Sequence, residues 1–150
     1  MINQISDLAA ADIGSLVRAS RQEGFRFLTR LCDEWANGSN VFNGPGEALF
    51  GVFDDAQLVG IGGINRQDDA TGRLRRFYIL PSRRRLGFGR SLLNHILAHA
   101  AAHFRWVVLR TDSATADLFY CACGFTRVED VPGATHRIRL ARAEPVAGDR

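Results

Sequence analysis

Residues 74–104 constrain the fold more than any other part of the chain. Residues 74–80, LRRFYIL, read as a strand, and Pro81 ends it because proline cannot donate to a sheet ladder. Residues 88–104 then carry the strongest helical pattern in the sequence, with Leu92, Leu93, Ile96, Leu97 and Ala100 on one apolar face. WVVLRT follows at 106–111, apolar without alternation, as in a buried strand. A helix predicted at 114–123 ends at Gly124, and two short strands follow at 125–128 and 136–140. Strands and helices that alternate in this way demand a mixed sheet with crossover helices, an α/β fold.

The first half is read with the same periodicities. Residues 2–5 make a short strand, and 9–19 a helix with Asp7 near its start. A second helix is expected over 22–35, burying Phe25, Leu28, Leu31 and Trp35. Residues 48–53 and 58–64 form a hairpin around 54–57, and 65–72 form a polar loop. With 150 residues and no repeat or interior linker, the chain reads as one domain over 1–142 and a flexible tail at 143–150. A content of 46% hydrophobic and 23% charged residues is that of a soluble globular protein. No apolar run approaches the roughly 18 residues that cross a bilayer, and the N-terminus lacks a secretory pattern. The 3 cysteines fit a reducing cytoplasm, and Cys121 and Cys123 lack the second pair that structural zinc requires, so no metal is expected.

All 19 basic side chains are arginine, and Arg73, Arg75, Arg76, Arg83, Arg84, Arg85 and Arg90 crowd one stretch. Guanidinium suits bidentate recognition of phosphate, which makes this stretch the place for an anionic ligand. Between Pro81 and Arg90, Gly87 and Gly89 allow a close backbone approach, and the first N–H groups of the following helix point at whatever lies there. The loop is not a P-loop, and Gly60, Gly62 and Gly63 lack dinucleotide spacing and read as a bulge or close packing. Arg73, Arg75 and Arg76 are expected to pair with Asp68, Asp69, Asp54 or Asp55. Otherwise they serve an acceptor with negative charge or extra phosphate contacts. A net charge of +3 does not by itself point to nucleic acid.

Two motifs resemble the GCN5-related N-acetyltransferases (GNAT). Ile79-Leu80-Pro81 stands for the family's V-x-P strand end, and Arg84-Arg85-Leu86-Gly87-Phe88-Gly89 for its [QR]-x-x-G-x-[GA] helix start. Downstream, Ala116-Asp117-Leu118-Phe119-Tyr120 runs on to Gly124-Phe125 as A-x-x-F-Y-x-x-x-G-F. The resemblance implies a mixed, mostly antiparallel sheet of six to seven strands, splayed at a central parallel pair, with about four helices. It implies acetyl-CoA as co-substrate and an N-acetyltransferase acting on a small-molecule or peptide amine. Cofactor contacts fall on backbone groups of Phe77, Tyr78 and Ile79, with the Ile79 N–H polarising the thioester, and on Arg84, Arg85, Leu86, Gly87, Phe88, Gly89 and Arg90. Ser113 stands where many relatives have an asparagine on the cofactor. Tyr120 takes the position of a tyrosine general acid.

The general base stays open. No carboxylate falls between Gly72 and Pro81 or between Trp106 and Thr111, which leaves Asp112, Glu47, His136 or a water chain. His95, His99 and His103 repeat every fourth residue and are read as solvated positions on the polar helix face. A homodimer is compatible with the family, a membrane is not expected, and nucleic acid is not the expected partner. The competing readings are an acyl-CoA-binding protein, transfer of another acyl group, and an RNA-directed, aminoacyl-tRNA-modifying GNAT-fold protein.

Overall fold

The structure is a computed structural model and describes residues 1–141, so the tail expected at 143–150 lies outside the described residues. Seven strands form one sheet: β1 (Ile2–Gln4), β2 (Ala48–Asp54), β3 (Gln57–Arg66), β4 (Thr71–Ile79), β5 (Trp106–Leu109), β6 (Thr126–Arg127) and β7 (His136–Arg139). Their spatial order is β1-β2-β3-β4-β5-β7-β6, antiparallel throughout except for the parallel pair β4–β5. The crossover between those two strands is α3 (Phe88–Ala101), whose Leu92, Leu93, Ile96 and Ala100 are fully buried on the sheet. Helix α4 (Ala114–Ala122) covers the same face beyond β5, with Phe119 5.8 Å from Phe77 between ring centres. Helices α1 (Gly14–Gln22) and α2 (Phe27–Asn37) pack on the opposite face, against β4.

The central pair is short. Thr71, Gly72 and Arg73 face Trp106, Val107 and Val108, and the ladder stops there although β4 runs on to Ile79. The cause lies on the other side of β4. Tyr78 pairs with Ile61 and Arg75 with Gly63, which leaves Gly62 alone opposite both Arg76 and Phe77. This is a β-bulge, with Arg76 at φ 60°, and the extra residue bends and twists β4 away from β5. Gly62 is required there: a Cβ would lie 2.8 Å from Phe77 and 2.9 Å from Ile96. Strand β5 keeps its other neighbour, pairing with β7 as far as Leu109 and His136.

Three expectations change. The first two helices begin later than periodicity suggests. Asp7 accepts from the Ala9 N–H at 3.1 Å and starts only a 3-10 turn (Ala9–Ala11), which Asp12 ends at φ 49°. Gly24, at φ 87°, sets the break before α2, so Phe25 precedes that helix and is 38% exposed instead of buried. Strand β3 continues through Asn65 and Arg66, expected in a loop, because Glu47 accepts from the Asn65 side chain at 3.0 Å and from the Arg66 N–H at 2.8 Å. His95 and His103 are exposed as expected, but His99 is half-buried: it packs edge-on to Phe50, as His95 also does, and its Nε2 lies 3.1 Å from the Gly46 carbonyl.

Phe104 closes the end of α3. It is fully buried, faces Gly46 and Gly72, and carries Arg66 over its ring at 5.6 Å. Phe104→Ala should lower the unfolding free energy by about 3–5 kcal/mol, read by urea denaturation with the slope unchanged.

Candidate active site

The chain from Pro81 to Arg90 turns β4 into α3 through a 3-10 turn (Pro81–Arg83) and two left-handed residues, Arg85 at φ 64° and Gly87 at φ 91°. Gly87 is the N-cap of α3, and the first bond inside the helix runs from the Ser91 N–H to the Gly87 carbonyl. Among the described residues no acceptor meets the N–H of Arg85, Leu86, Gly87, Phe88, Gly89 or Arg90. A run of consecutive free amides, made concave by left-handed residues and placed at a helix start, is an anion cradle. Space is open beside Gly87, where an added Cβ would meet nothing within 4 Å. Gly89 is tighter, its Cβ position 3.4 Å from Phe119.

The arginines of this loop divide by partner. Arg83 bonds Asp54 at 3.0 Å. Arg84 makes two bonds to Glu23, at 2.9 and 2.7 Å, and a third from Nε to the Ile79 carbonyl at 3.0 Å, with its guanidinium 5.3 Å above the Tyr78 ring. The Tyr78 hydroxyl donates to the same Glu23 carboxylate. Arg84 thus closes the loop onto the turn between α1 and α2. Arg85 and Arg90 are exposed and, among the described residues, have no ion pair, so their charge is available to the cradle.

Beyond Arg73 the β5 side of β4 is a free edge inside the sheet. The Leu80 N–H bonds the Val59 carbonyl at 2.9 Å, so the alternation of a strand turns the N–H of Ile79 and Phe77 to the free edge and that of Tyr78 toward β3. Of the three backbone positions named from the sequence, Phe77 and Ile79 face the gap. The gap opens directly toward the amide cradle, since β4 leads into the loop.

Tyr120, from α4, stands on the other side of this edge. It is 8% exposed, ringed by Phe77, Phe119 and Phe125 at 6.1, 5.3 and 5.6 Å. Among the described residues its hydroxyl has no hydrogen-bond partner. Burial, and to a lesser extent the charge of Cys123, pushes its pKa above the ordinary phenol value, so the proton is retained at neutral pH. Ser113 caps α4, its hydroxyl oxygen accepting from the Ala116 N–H at 3.2 Å.

The base candidates are placed apart from the gap or are engaged. His136 is buried, with Nε2 2.7 Å from Asp117 and Nδ1 2.8 Å from the Thr135 hydroxyl. Arg127 takes both oxygens of Asp117, at 2.8 and 2.9 Å, and the Arg127 and His136 bonds hold that carboxyl well below the usual range. This network fastens α4 to β6 and β7. Glu47 accepts three bonds that pin the loop before β2, and Asp112 is exposed beyond the end of β5. Sequence reasoning missed Glu23, which carries no motif of its own and meets Arg84 only through the fold.

Comparison with known families and structures agrees with this geometry. The acetyltransferase (GNAT) domain matches residues 45–127. The chain belongs to the GNAT acetyltransferases. The GNAT fold extends over nearly its full length: a candidate acetyltransferase from Exiguobacterium sp. 255-15 is 30% identical, with a TM-score of 0.82, covering 93% of this chain and 92% of that one. A GNAT-family acetyltransferase from Staphylococcus aureus Mu50 shares 18% identity at a TM-score of 0.74, covering 94% and 100% of the two chains. An aminoglycoside 6'-N-acetyltransferase complexed with coenzyme A shares the fold at 17% identity and a TM-score of 0.67, covering 97% and 99%. A comparison with curated proteins finds no match. The expected splayed sheet with one parallel pair and four helices is the architecture observed, and among the described residues no helix is long and apolar enough to cross a membrane.

The Arg84–Glu23 clamp gives a pH-dependent prediction. Its bonds to Arg84 lower the Glu23 pKa, so the clamp's stabilisation is present above the unfolded carboxylate value and is lost as pH falls through the folded one. Glu23→Gln should therefore lower Tm at pH 7, and the difference from the parent should shrink below about pH 4. Thermal melts across pH 3–7, a span about the ordinary carboxylate range, check this.

Proposed function

We propose that this GNAT protein is an N-acetyltransferase that uses acetyl-CoA and passes the acetyl group directly to a primary amine. The observation that carries this reading is the continuity of the free amides of residues 85–90 with the free edge of β4. The cradle suits a diphosphate, and the edge suits a ligand with peptide-like groups along an extended arm. Coenzyme A has both, and an aminoglycoside acetyltransferase of the same fold is complexed with it.

Acetyl-CoA supplies an activated thioester, whose carbonyl carbon the amine attacks. The amide N–H groups of residues 85–90 hold the diphosphate, with Arg85 and Arg90 adding charge-assisted bonds. An N–H of the free edge polarises the thioester carbonyl, a contribution often worth about 3 kcal/mol of barrier. Phe77 serves better than Ile79 in this role because Tyr120 packs beside Phe77, and the proton donor must reach the sulfur of the same thioester. As the new C–N bond forms and the C–S bond breaks, Tyr120 gives its proton to the departing thiolate, and the proton lost by the amine passes to water. The phenol holds its proton until the thiolate forms, and its position beside Phe77 is what recommends it as the donor. Cys32, Cys121 and Cys123 are free thiols, which supports the cytoplasm as the place of action.

A thermal-shift series with acetyl-CoA, CoA and longer acyl-CoAs tests the donor. A ligand at a hundred times its Kd should add about 2.7 kcal/mol of stability. Gly87→Glu should abolish the shift by placing bulk and charge in the cradle, and absence of any shift in the parent protein would sink the reading. Tyr120→Phe should keep the shift and lower turnover by about 10²-fold. Unchanged turnover would leave Tyr120 only a packing role.

A further inference from the structure

On the sheet face opposite α3, positive charge collects where β4 and β5 part. Arg73 and Arg75 share that face by their spacing of two, and Arg110 joins them because Val108 pairs with Arg73 and lies two residues before it. None of the three has an ion pair among the described residues. The aspartates expected to neutralise them are elsewhere: Asp69 bonds Arg66 and Asp54 bonds Arg83. Arg73 bonds only neutral oxygens, Gln67 Oε1 and the Gly133 carbonyl, each at 2.9 Å. Arg75 is half-buried and has no hydrogen-bond partner among the described residues. Glu34, whose carboxylate acts on Arg75, is bonded by Arg76 at 2.7 Å.

Burial first, and then neighbouring like charge, lowers the pKa of both Arg73 and Arg75, which marks charge held without compensation. Holding unpaired charge away from water costs stability unless an anion is there to meet it. The place is informative as well. Arg75 lies two residues from Phe77, roughly 7 Å along the strand, so its side chain borders the end of the gap where the thioester belongs. It also lines a cleft of about 330 Å³ with Glu34, Asn40, Glu47, Asn65 and Arg66. This cleft lies on the α2 face, where an acceptor reaches the thioester without displacing α3 or α4.

We infer that the acceptor is an amine carrying an oxyanion, carboxylate or phosphate, which Arg75 binds from the cleft with Arg73 and Arg110 behind it. The inference rests on the acetyltransferase reading and narrows its acceptor: polycationic amines meet like charge at this vertex, while amino acids, acidic peptide N-termini or phosphorylated amines find a counterion.

Matched pairs of amines test it, with the full chain and acetyl-CoA: amino acids against their amides, phosphoethanolamine against ethanolamine, and putrescine as a dication. The anionic member of a pair should have a kcat/KM higher by about tenfold or more, as expected for a charged hydrogen bond. Whether carboxylates or phosphates lead identifies the oxyanion. Arg75→Gln should erase most of that advantage through KM while leaving the shift by CoA unchanged, and Arg110→Gln, at an exposed position, should do so in part without risk to folding. Equal or reversed preference within the pairs, or uniform losses across the panel in both variants, would overturn the inference. Should no amine turn over, calorimetric binding of the same pairs to the CoA-loaded protein decides it, and lack of preference there overturns it equally. A missing CoA shift would instead strike the acetyltransferase reading itself.

Discussion

Everything at the site depends on one residue having no side chain. Gly62 sits against Phe77 and Ile96 closely enough that β4 can fit two residues, Arg76 and Phe77, where β3 supplies one. That surplus bends β4 out of register with β5 after Arg73, and the gap it leaves is the only reason that β4 amides are free within a sheet. The apolar face of α3 holds β3 and β4 from beneath, so the distortion is carried by a rigid platform instead of a mobile loop. Cradle, edge and Tyr120 thereby lie along one continuous gap.

How far the sequence made this legible follows from the range of the interactions involved. The strand, the Arg–Gly loop and α3 were readable because proline, glycine and a 3.6-residue period act over a few neighbours, and residues 84–89 and 116–125 carry a family signature besides. The crossover followed from the order of elements, and the central parallel pair from the family resemblance. What escaped is long-range or backbone-driven. Nothing local announces that Asp12 will take a left-handed conformation and delay α1, or that Phe25 will precede its helix. Arg84 looked like a phosphate ligand from its motif position, and the fold gives its side chain to Glu23, far away in sequence. The amides around it need no side chain to make the cradle, so the motif and the clamp coexist.

The charge distribution follows a similar division. Arg66, Arg76, Arg83, Arg84 and Arg127 each meet a carboxylate and hold segments together. Among the described residues, Arg85 and Arg90 at one end of the gap, and Arg75 and Arg110 at the other, do not. A gap flanked at both ends by guanidinium groups without an ion pair among the described residues attracts anions at either end. The chain's composition of arginine without lysine gives no hint of this, because the sorting is made by tertiary pairing.

The free edge of β4 has one more consequence. An unpaired strand is ordinarily a hazard, since its exposed amides template addition of a strand from another molecule and lead to aggregation. Here the open amides lie in the interior of a seven-stranded sheet, with β5 and β7 standing beyond the gap and α3 and α4 closing one face. The strands beyond the gap keep those amides away from the rim of the sheet, where a further strand would add. The same geometry that leaves the sheet incomplete therefore offers its free donors inside the fold, to a ligand that enters between β4 and β5.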